Sequence, residues 1–376
     1  MRILTVCYEY PPLGGGGAPA CAGLCEALVA AGHEVDVVTS AMDDLPAREE
    51  IRGVDVHRTW CRRRRMHLTT PAELLTGLGP ALRKALELTR KRRYHLSHCH
   101  FVVPSGLVSQ QLHARTGLPY ILTAHGSDVP GYNPDRFGIA HRLIRPLWRR
   151  IIRSGRAVVT PSLFLRDLIQ DYIDVDAKVI PYGFTPPPSP PGQERGNRIL
   201  CVTRMFERKG VQHLIRAFAD LGAEGWELQV AGDGPYLPQA RLLAERLGVG
   251  VTFLGQVERH ALPALYQSAK VFVLPSKRDN FPVVLLEALS AGCAIVTTTG
   301  SGCAEVVADS GILVDPDSVE GLREALERLV GQESLIADLR SRSLERVQRF
   351  AWPRIAAEHE AVYRAALDGA GSGSGR

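Results

Sequence analysis

Apolar residues recur in short bursts from the start of the chain. The runs at 3–8, 34–39, 54–58, 96–101, 120–123, 157–160 and 178–180 are β-rich and bounded by turn residues, so they read as strands. Between them, 20–31, 71–92, 105–115, 139–154 and 163–172 carry helical patterns. Alternation of this kind means a parallel sheet wrapped by helices. The rhythm resumes with strands at 198–203, 227–231, 251–254, 271–274, 295–298 and 312–314. Pro181-Tyr182-Gly183 closes the first series, and the proline-dense segment 186–192 cannot be the interior of a sheet or helix. The pattern predicts an α/β chain of two doubly wound, Rossmann-like domains, 1–183 and 198–352, joined by a linker over 184–197. Two such halves face each other across a cleft, where ligands meet the strand ends. The Gly/Ser-rich stretch 368–376 reads as a disordered tail.

One predicted helix, 282–291, stands apart because nearly every side chain in it is apolar. Asn280 is placed to cap it, Pro282 suits its first turn, and Gly292 suits the residue past its end. Such a helix is buried on most sides, yet it carries Glu287. An unpaired buried carboxylate costs several kcal/mol, roughly, so Glu287 needs dedicated partners. A structural ion pair or a capping role is the plain explanation. Asp279, at the mouth of the same helix, adds a second acid. Free N–H groups with acids at and inside a helix entrance outline a site for polyols and anions.

Other loops at strand ends carry chemistry. Pro11-Pro12 leads into Gly14-Gly15-Gly16-Gly17, where the backbone can approach a ligand closely and offer N–H groups to phosphate. A flexible turn is the alternative, and the spacing is not that of a dinucleotide fingerprint. Arg204 and Lys209 flank a strand-to-helix loop and can both reach one diphosphate, whereas Arg208 between them reads as a bystander. His98 and His100 alternate along a strand and share a face. With no third ligand evident, His100 reads as a pocket-wall residue rather than a metal ligand. His125 closes a strand before Gly126, and Asp128 follows in the same loop.

In this order the motifs resemble those of the retaining nucleotide-sugar glycosyltransferases of family 4, which have the GT-B fold. The resemblance covers residues 1–367 and rests on Gly15 and Gly16, His125, Arg204 with Lys209-Gly210, and the acid-x7-acid pair Asp279 and Glu287. It implies transfer of a sugar from a nucleoside diphosphate sugar, UDP- or GDP-linked, to a hydroxyl of a glycan or lipid-linked acceptor, without a metal or other cofactor. By resemblance Glu287 holds the ribose hydroxyls, while Asp279 and His125 lie beside the donor sugar. Arg204 and Lys209 steady the diphosphate, and the Gly15/Gly16 loop closes over it. Gly232, Val257 and Phe281 fall in donor-binding loops, and His100 and Asp128 fall toward the acceptor. Glu305 matches a structural cap. The last helix, 353–367, crosses back to the first domain with Trp352 as its anchor. Two departures stand out. The first acid is usually Glu and here is Asp279, and a common Gly is here Pro282, which has no N–H.

Bulk properties narrow the field. At 376 residues, 45% hydrophobic and 23% charged, the chain has the make-up of a two-domain globular protein. No apolar run suits a membrane span, and the first residues read as a strand rather than a signal peptide. The 8 cysteines lack paired metal spacing and suit a reducing cytoplasm. Net charge is only +5, but arginines cluster at 62–65, 90–93 and along 142–153, where Leu143, Ile144, Leu147, Trp148, Ile151 and Ile152 interleave with them. A solvated surface is the ordinary meaning of such clusters; the alternative is weak association with an anionic membrane surface. Nucleic-acid motifs are missing. Asp174-Val175-Asp176 and Asp315-Pro316-Asp317 match a metal-binding string of another glycosyltransferase fold but lie away from the other motifs. The rival readings are a nucleotide-sugar 2-epimerase, a phosphorylase (for which no pyridoxal-lysine signature is seen), and a non-catalytic sugar- or lipid-binding protein of the same fold.

Overall fold

A computed structural model of the chain describes residues 1–42, 44–66, 69–188 and 195–368. These divide into two compact units, Met1–Gly183 with Ala351–Arg376, and Phe184–Phe350.

The first unit is built on β1 (Arg2–Cys7), β2 (Glu34–Ser40), β3 (Arg48–Ile51), β4 (Val54–Thr59), β5 (Leu96–His100), β6 (Tyr120–Thr123), β7 (Ala157–Thr160) and β8 (Ala177–Val179). Their order across the sheet is β3-β4-β2-β1-β5-β6-β7-β8. Every pairing is parallel except β3 with β4. Strands such as β1, buried from Ile3 to Cys7, read as near-continuous apolar runs because helices cover both faces. The antiparallel edge strand β3 was not expected from the sequence. Its residues, Arg-Glu-Glu-Ile, are charged and part-exposed, so they carry no apolar signal.

The second unit holds β9 (Gly196–Val202), β10 (Glu227–Ala231), β11 (Val251–Gly255), β12 (Ala269–Leu274), β13 (Ala294–Thr298) and β14 (Gly311–Val314), all parallel, in the order β11-β10-β9-β12-β13-β14. Order reverses direction between β9 and β12, which is where open α/β sheets receive ligands.

The helix Trp352–Asp368 belongs to the first unit, so the return falls at 350/351 rather than at 352/353. The reason is Trp352. Its indole lies between two backbones: an added Cβ at Gly23 would be 2.1 Å from the ring, and one at Gly183 would be 2.2 Å from it. Farther along, Tyr363 donates to or accepts from His98 Nδ1 at 2.8 Å, and His33 meets Glu360 at 2.8 Å. Asp368 is helical; residues 369–376 of the expected tail lie outside the described residues. No helix among the described residues is long and apolar enough to cross a membrane.

Candidate active site

In the second unit, the loops that follow β9, β10 and β12 are fitted to one another with almost no room between backbones. A Cβ at Gly232 would sit 1.8 Å from the Thr203 carbonyl oxygen, one at Gly234 2.5 Å from that of Met205, and one at Gly210 2.0 Å from that of Pro275. All three glycines have positive φ, a conformation that side chains also disfavour. Gly302 braces the Asp279 loop in the same way: its Cβ would meet the Asn280 carbonyl at 1.4 Å, and its N–H donates to Asp279 O at 2.9 Å. These glycines fix the loop positions. Gly232 was assigned to the donor through its backbone, but its N–H donates to Gly255 O at 2.7 Å, so that group is not available to a ligand.

Lys209 and Asp279 are brought together in this loop cluster. Lys209 Nζ lies 2.6 Å from both carboxylate oxygens of Asp279, and both residues are buried. Arg204, from the same loop as Lys209, is exposed, with its guanidinium 5.8 Å from the Phe206 ring. Arg208 points elsewhere and donates to Arg278 O. The buried ammonium and the exposed guanidinium give this loop two cations of different character.

The helix carrying Glu287 runs Val283–Ser290. Pro282, not Asn280, is its N-cap residue, and no side chain caps it. Pro282 holds extended backbone at φ −75°, ψ 110°, which starts the helix later than an Asn280 cap would. Gly292, at φ 67°, ends it as expected. Glu287 has the dedicated partner its setting demands. Tyr266, itself fully buried, donates its hydroxyl to Glu287 Oε2 at 2.7 Å. Burial pushes the Glu287 carboxyl above its usual pKa, while the Tyr266 bond pulls it back. Oε1 takes no hydrogen bond among the described residues. Phe281 is buried with its ring edge-on to Phe350 at 5.7 Å, so its side chain packs within the second unit. Val257 is half-buried in the loop after β11. Glu305 lies in the first turn of Gly302–Val307, where the capping side chain is that of Ser301.

In the first unit, the four glycines differ sharply. Gly14 has φ 113° and Gly17 packs on Phe101, where a Cβ would lie 2.5 Å from the ring. At Gly15 and Gly16 an added Cβ would meet nothing, so that side of the backbone is open to approach. Glu9 governs this loop: its carboxylate accepts from Gly15 N–H at 3.0 Å and lies 3.8 Å from Arg63. Arg63 was grouped with a surface basic patch. It is instead buried, donating to the carbonyls of Tyr8, Arg65 and Met66, and so underpins the loop.

His125 is held by its neighbours on both ring nitrogens. Nδ1 is 2.7 Å from the Tyr182 hydroxyl and Nε2 is 3.0 Å from His100 Nδ1. Burial lowers the His125 pKa to about 3 and that of His100 well below its usual value, so both rings are neutral near pH 7. His100 is buried behind His125, with Nε2 lacking a hydrogen-bond partner, and is not exposed for the acceptor contact expected of it. Asp128 is likewise corrected. Its carboxylate accepts from the backbone N–H groups of Val102, His125 and Gly126 at 2.7–3.0 Å, which makes it the staple of the His125 loop. His98 faces Thr123 and Tyr363 rather than a metal. Glu9, Tyr182, Tyr266 and Gly302 were given no site role from the sequence. Of these, only Gly302, in a Gly-Ser-Gly run after a strand, offered a local signal.

Two parallel Rossmann-like sheets with motif-bearing loops at their strand ends define a GT-B protein, and solved structures agree. Sucrose-phosphate synthase from Thermosynechococcus elongatus matches with a TM-score of 0.79 at 22% identity, covering 98% of this chain and 100% of that one. Anabaena HepE in complex with UDP-glucose matches with a TM-score of 0.73 at 18% identity, covering 97% and 100%. Family models for "Glycosyl transferases group 1" and "Glycosyl transferase 4-like domain" match residues 188–346 and 15–183 respectively, and the chain belongs to this glycosyltransferase family. It is similar to an uncharacterized glycosyltransferase of Methanocaldococcus jannaschii, 29% identical over 98% of this chain and 99% of that protein. The phosphatidyl-myo-inositol mannosyltransferase of Mycolicibacterium smegmatis is 29% identical over 99% and 95%.

Proposed function

We propose that this glycosyltransferase moves a hexose from a UDP- or GDP-sugar to an acceptor hydroxyl, with retention of anomeric configuration and without a metal ion. The observation that carries the reading is the buried Lys209–Asp279 pair at the switch point of the second sheet, with exposed Arg204 in the same loop as Lys209. A diphosphate arriving there exchanges with the Asp279 carboxylate for Lys209 and meets Arg204 as a second cation. Charge-assisted bonds to phosphate contribute about 1.5–3 kcal/mol each, and they strengthen as charge builds on the leaving nucleotide. Asp279, freed from Lys209, then faces the donor sugar. Glu287, oriented by Tyr266, receives the ribose hydroxyls. Neutral His125, held by Tyr182 and His100 on its two ring nitrogens, is too weak a base to take a proton at pH 7 and meets a sugar hydroxyl only by exchanging one of those two partners. The leaving phosphate oxygen is therefore the group assigned to help remove the acceptor's proton.

The first unit is assigned the acceptor. A relative named for transfer to phosphatidyl-myo-inositol supports a lipid-linked class, alongside glycans. We also propose a cytoplasmic protein that touches anionic membrane weakly. Seven of its eight cysteines are buried free thiols, and the helix Pro134–Ser154 exposes Ile139 and Leu143 beside Arg142 and Arg145. Trp148, Ile151 and Ile152, by contrast, belong to the core. The test is a panel of nucleotide sugars incubated with glycan and lipid acceptors, with and without EDTA, and NMR of the product anomer. An inverted linkage, or activity restored only by manganese, overturns the mechanism. A changed sugar in the donor alone would reveal an epimerase.

A further inference from the structure

Three other rings hold the imidazole of His125. His100 stacks on it with centroids 5.2 Å apart and planes 25° from parallel, Phe101 tilts against it at 4.4 Å, and Tyr182 lies at 5.6 Å. His100 ends β5 and Phe101 follows it. Successive residues of a regular strand send their side chains to opposite faces. The chain departs from that rule at Phe101, whose φ of 72° is an outlier for a bulky residue, and both rings end against His125. Backbone strain of this kind is held at functional sites.

The ring protons have a definite arrangement. Both histidines are neutral near pH 7, so each carries a single N–H. His100 Nδ1 and His125 Nε2 are 3.0 Å apart, so one is protonated and the other bare. Were the proton on His125 Nε2, His100 would carry its own on Nε2. That atom is buried and has no hydrogen-bond partner among the described residues. A buried N–H without an acceptor is rarer than a buried acceptor without a donor. The shared proton therefore belongs to His100 Nδ1, which donates to His125 Nε2. His125 then has its proton on Nδ1 and donates to the Tyr182 hydroxyl at 2.7 Å. Nδ1 is also the edge beside the glycine loop: a Cβ at Gly17 would lie 3.4 Å from it. A ligand at that loop meets the protonated edge of the ring, because buried His100 closes off the other.

We propose that His100 is a positioning residue for sugar transfer: it fixes His125 as the Nδ1–H tautomer, so that His125 exchanges Tyr182 for the sugar and donates one hydrogen bond to a sugar oxygen. The role rests on the sugar-transfer reading above, whereas the tautomer is read without any substrate. The full chain, isotopically labelled at its histidine ring nitrogens, is examined by long-range proton–nitrogen NMR, which distinguishes protonated from bare ring nitrogens. Loss of signals in His125→Gln identifies those of His125. In the unaltered protein, Nδ1 of His125 should be protonated and Nε2 bare. His100→Leu removes the donor and should bring in the opposite tautomer. It should also lower kcat for transfer about 2–10-fold, the worth of one neutral hydrogen bond, while affinity for UDP, which has no sugar, holds. His100→Asn keeps an N–H near the place of Nδ1 and should restore the tautomer and most of the rate. Thermal unfolding shows that each variant is folded; should His100→Leu fail to fold, the unaltered protein and His100→Asn still decide. His125 protonated at Nε2 in the unaltered protein overturns the proposal. So does a tautomer unmoved by His100→Leu, one that changes at no cost to transfer, or a His100→Asn protein that lacks the Nδ1–H form. The described tautomer with no sugar transferred from any donor overturns the sugar-transfer reading instead and leaves the proton assignment standing.

Discussion

Lys209 Nζ sits at 2.6 Å from both oxygens of Asp279, a bidentate buried pair joining residues 70 positions apart. Removing one member leaves the other charge buried and unpaired. Asp279→Asn and Lys209→Met are each expected to lower stability by about 2–4 kcal/mol in urea unfolding, and the double variant to recover much of that loss. Additive losses would mean that the pair is not formed in solution. Lys209→Met should also lower transfer by about 100-fold or more.

Glu287 is expected to control nucleotide affinity through its charge. Its raised pKa means that the accepting carboxylate form grows as pH rises, so UDP should bind more tightly with increasing pH through the upper carboxylate range. Tyr266→Phe removes the bond that lowers this pKa and should shift the profile to higher pH. Glu287→Ala should weaken binding about 10–100-fold and flatten the profile. Calorimetry across pH checks both; a flat profile in the unaltered protein would rule the role out.

Four buried histidines of the first unit, His98, His100, His125 and His359, are held neutral by burial, with His125 and His359 lowered to about 3. Their contribution is fully present above the unfolded-state pKa near 6.5 and is lost as pH falls through that value toward the folded-state values. Each histidine removes up to about 1.4 kcal/mol per pH unit in this window. Urea midpoints should therefore fall steeply between pH 6.5 and pH 4.5 or so. His359→Phe should make the decline shallower.

Gly23→Ala and Gly183→Ala should each destabilise the protein by about 1–3 kcal/mol, since the Trp352 ring is flanked by both backbones and cannot retreat. Thermal unfolding measures this. A neutral effect for both would show that the indole has room to move.

The strand series was legible because parallel strands covered on both faces are near-continuous apolar runs, as in Ile3–Cys7 with its one Thr5. The edge strand Arg48–Ile51 was not, because its charged residues carry no apolar signal. Motif residues on strand-end loops could be picked out one by one, but their partnerships could not. Nothing local couples Tyr266 to Glu287, Tyr182 to His125, or Glu9 to Gly15. Burial changed roles too: Asp128, Arg63 and His100 look like solvent-facing polar groups in sequence and are structural in the fold, because backbone amides, carbonyls or a neighbouring ring claim them.

The place of Trp352 has a consequence for biosynthesis. A ribosome delivers the first eight strands early, yet the socket between Gly23 and Gly183 stays empty until the closing segment emerges. The middle portion is thus a guest inserted in the sequence of its host and must be synthesised before the host can be sealed. Nascent chains stalled short of residue 352 should present a wet, unfinished seam where the indole belongs.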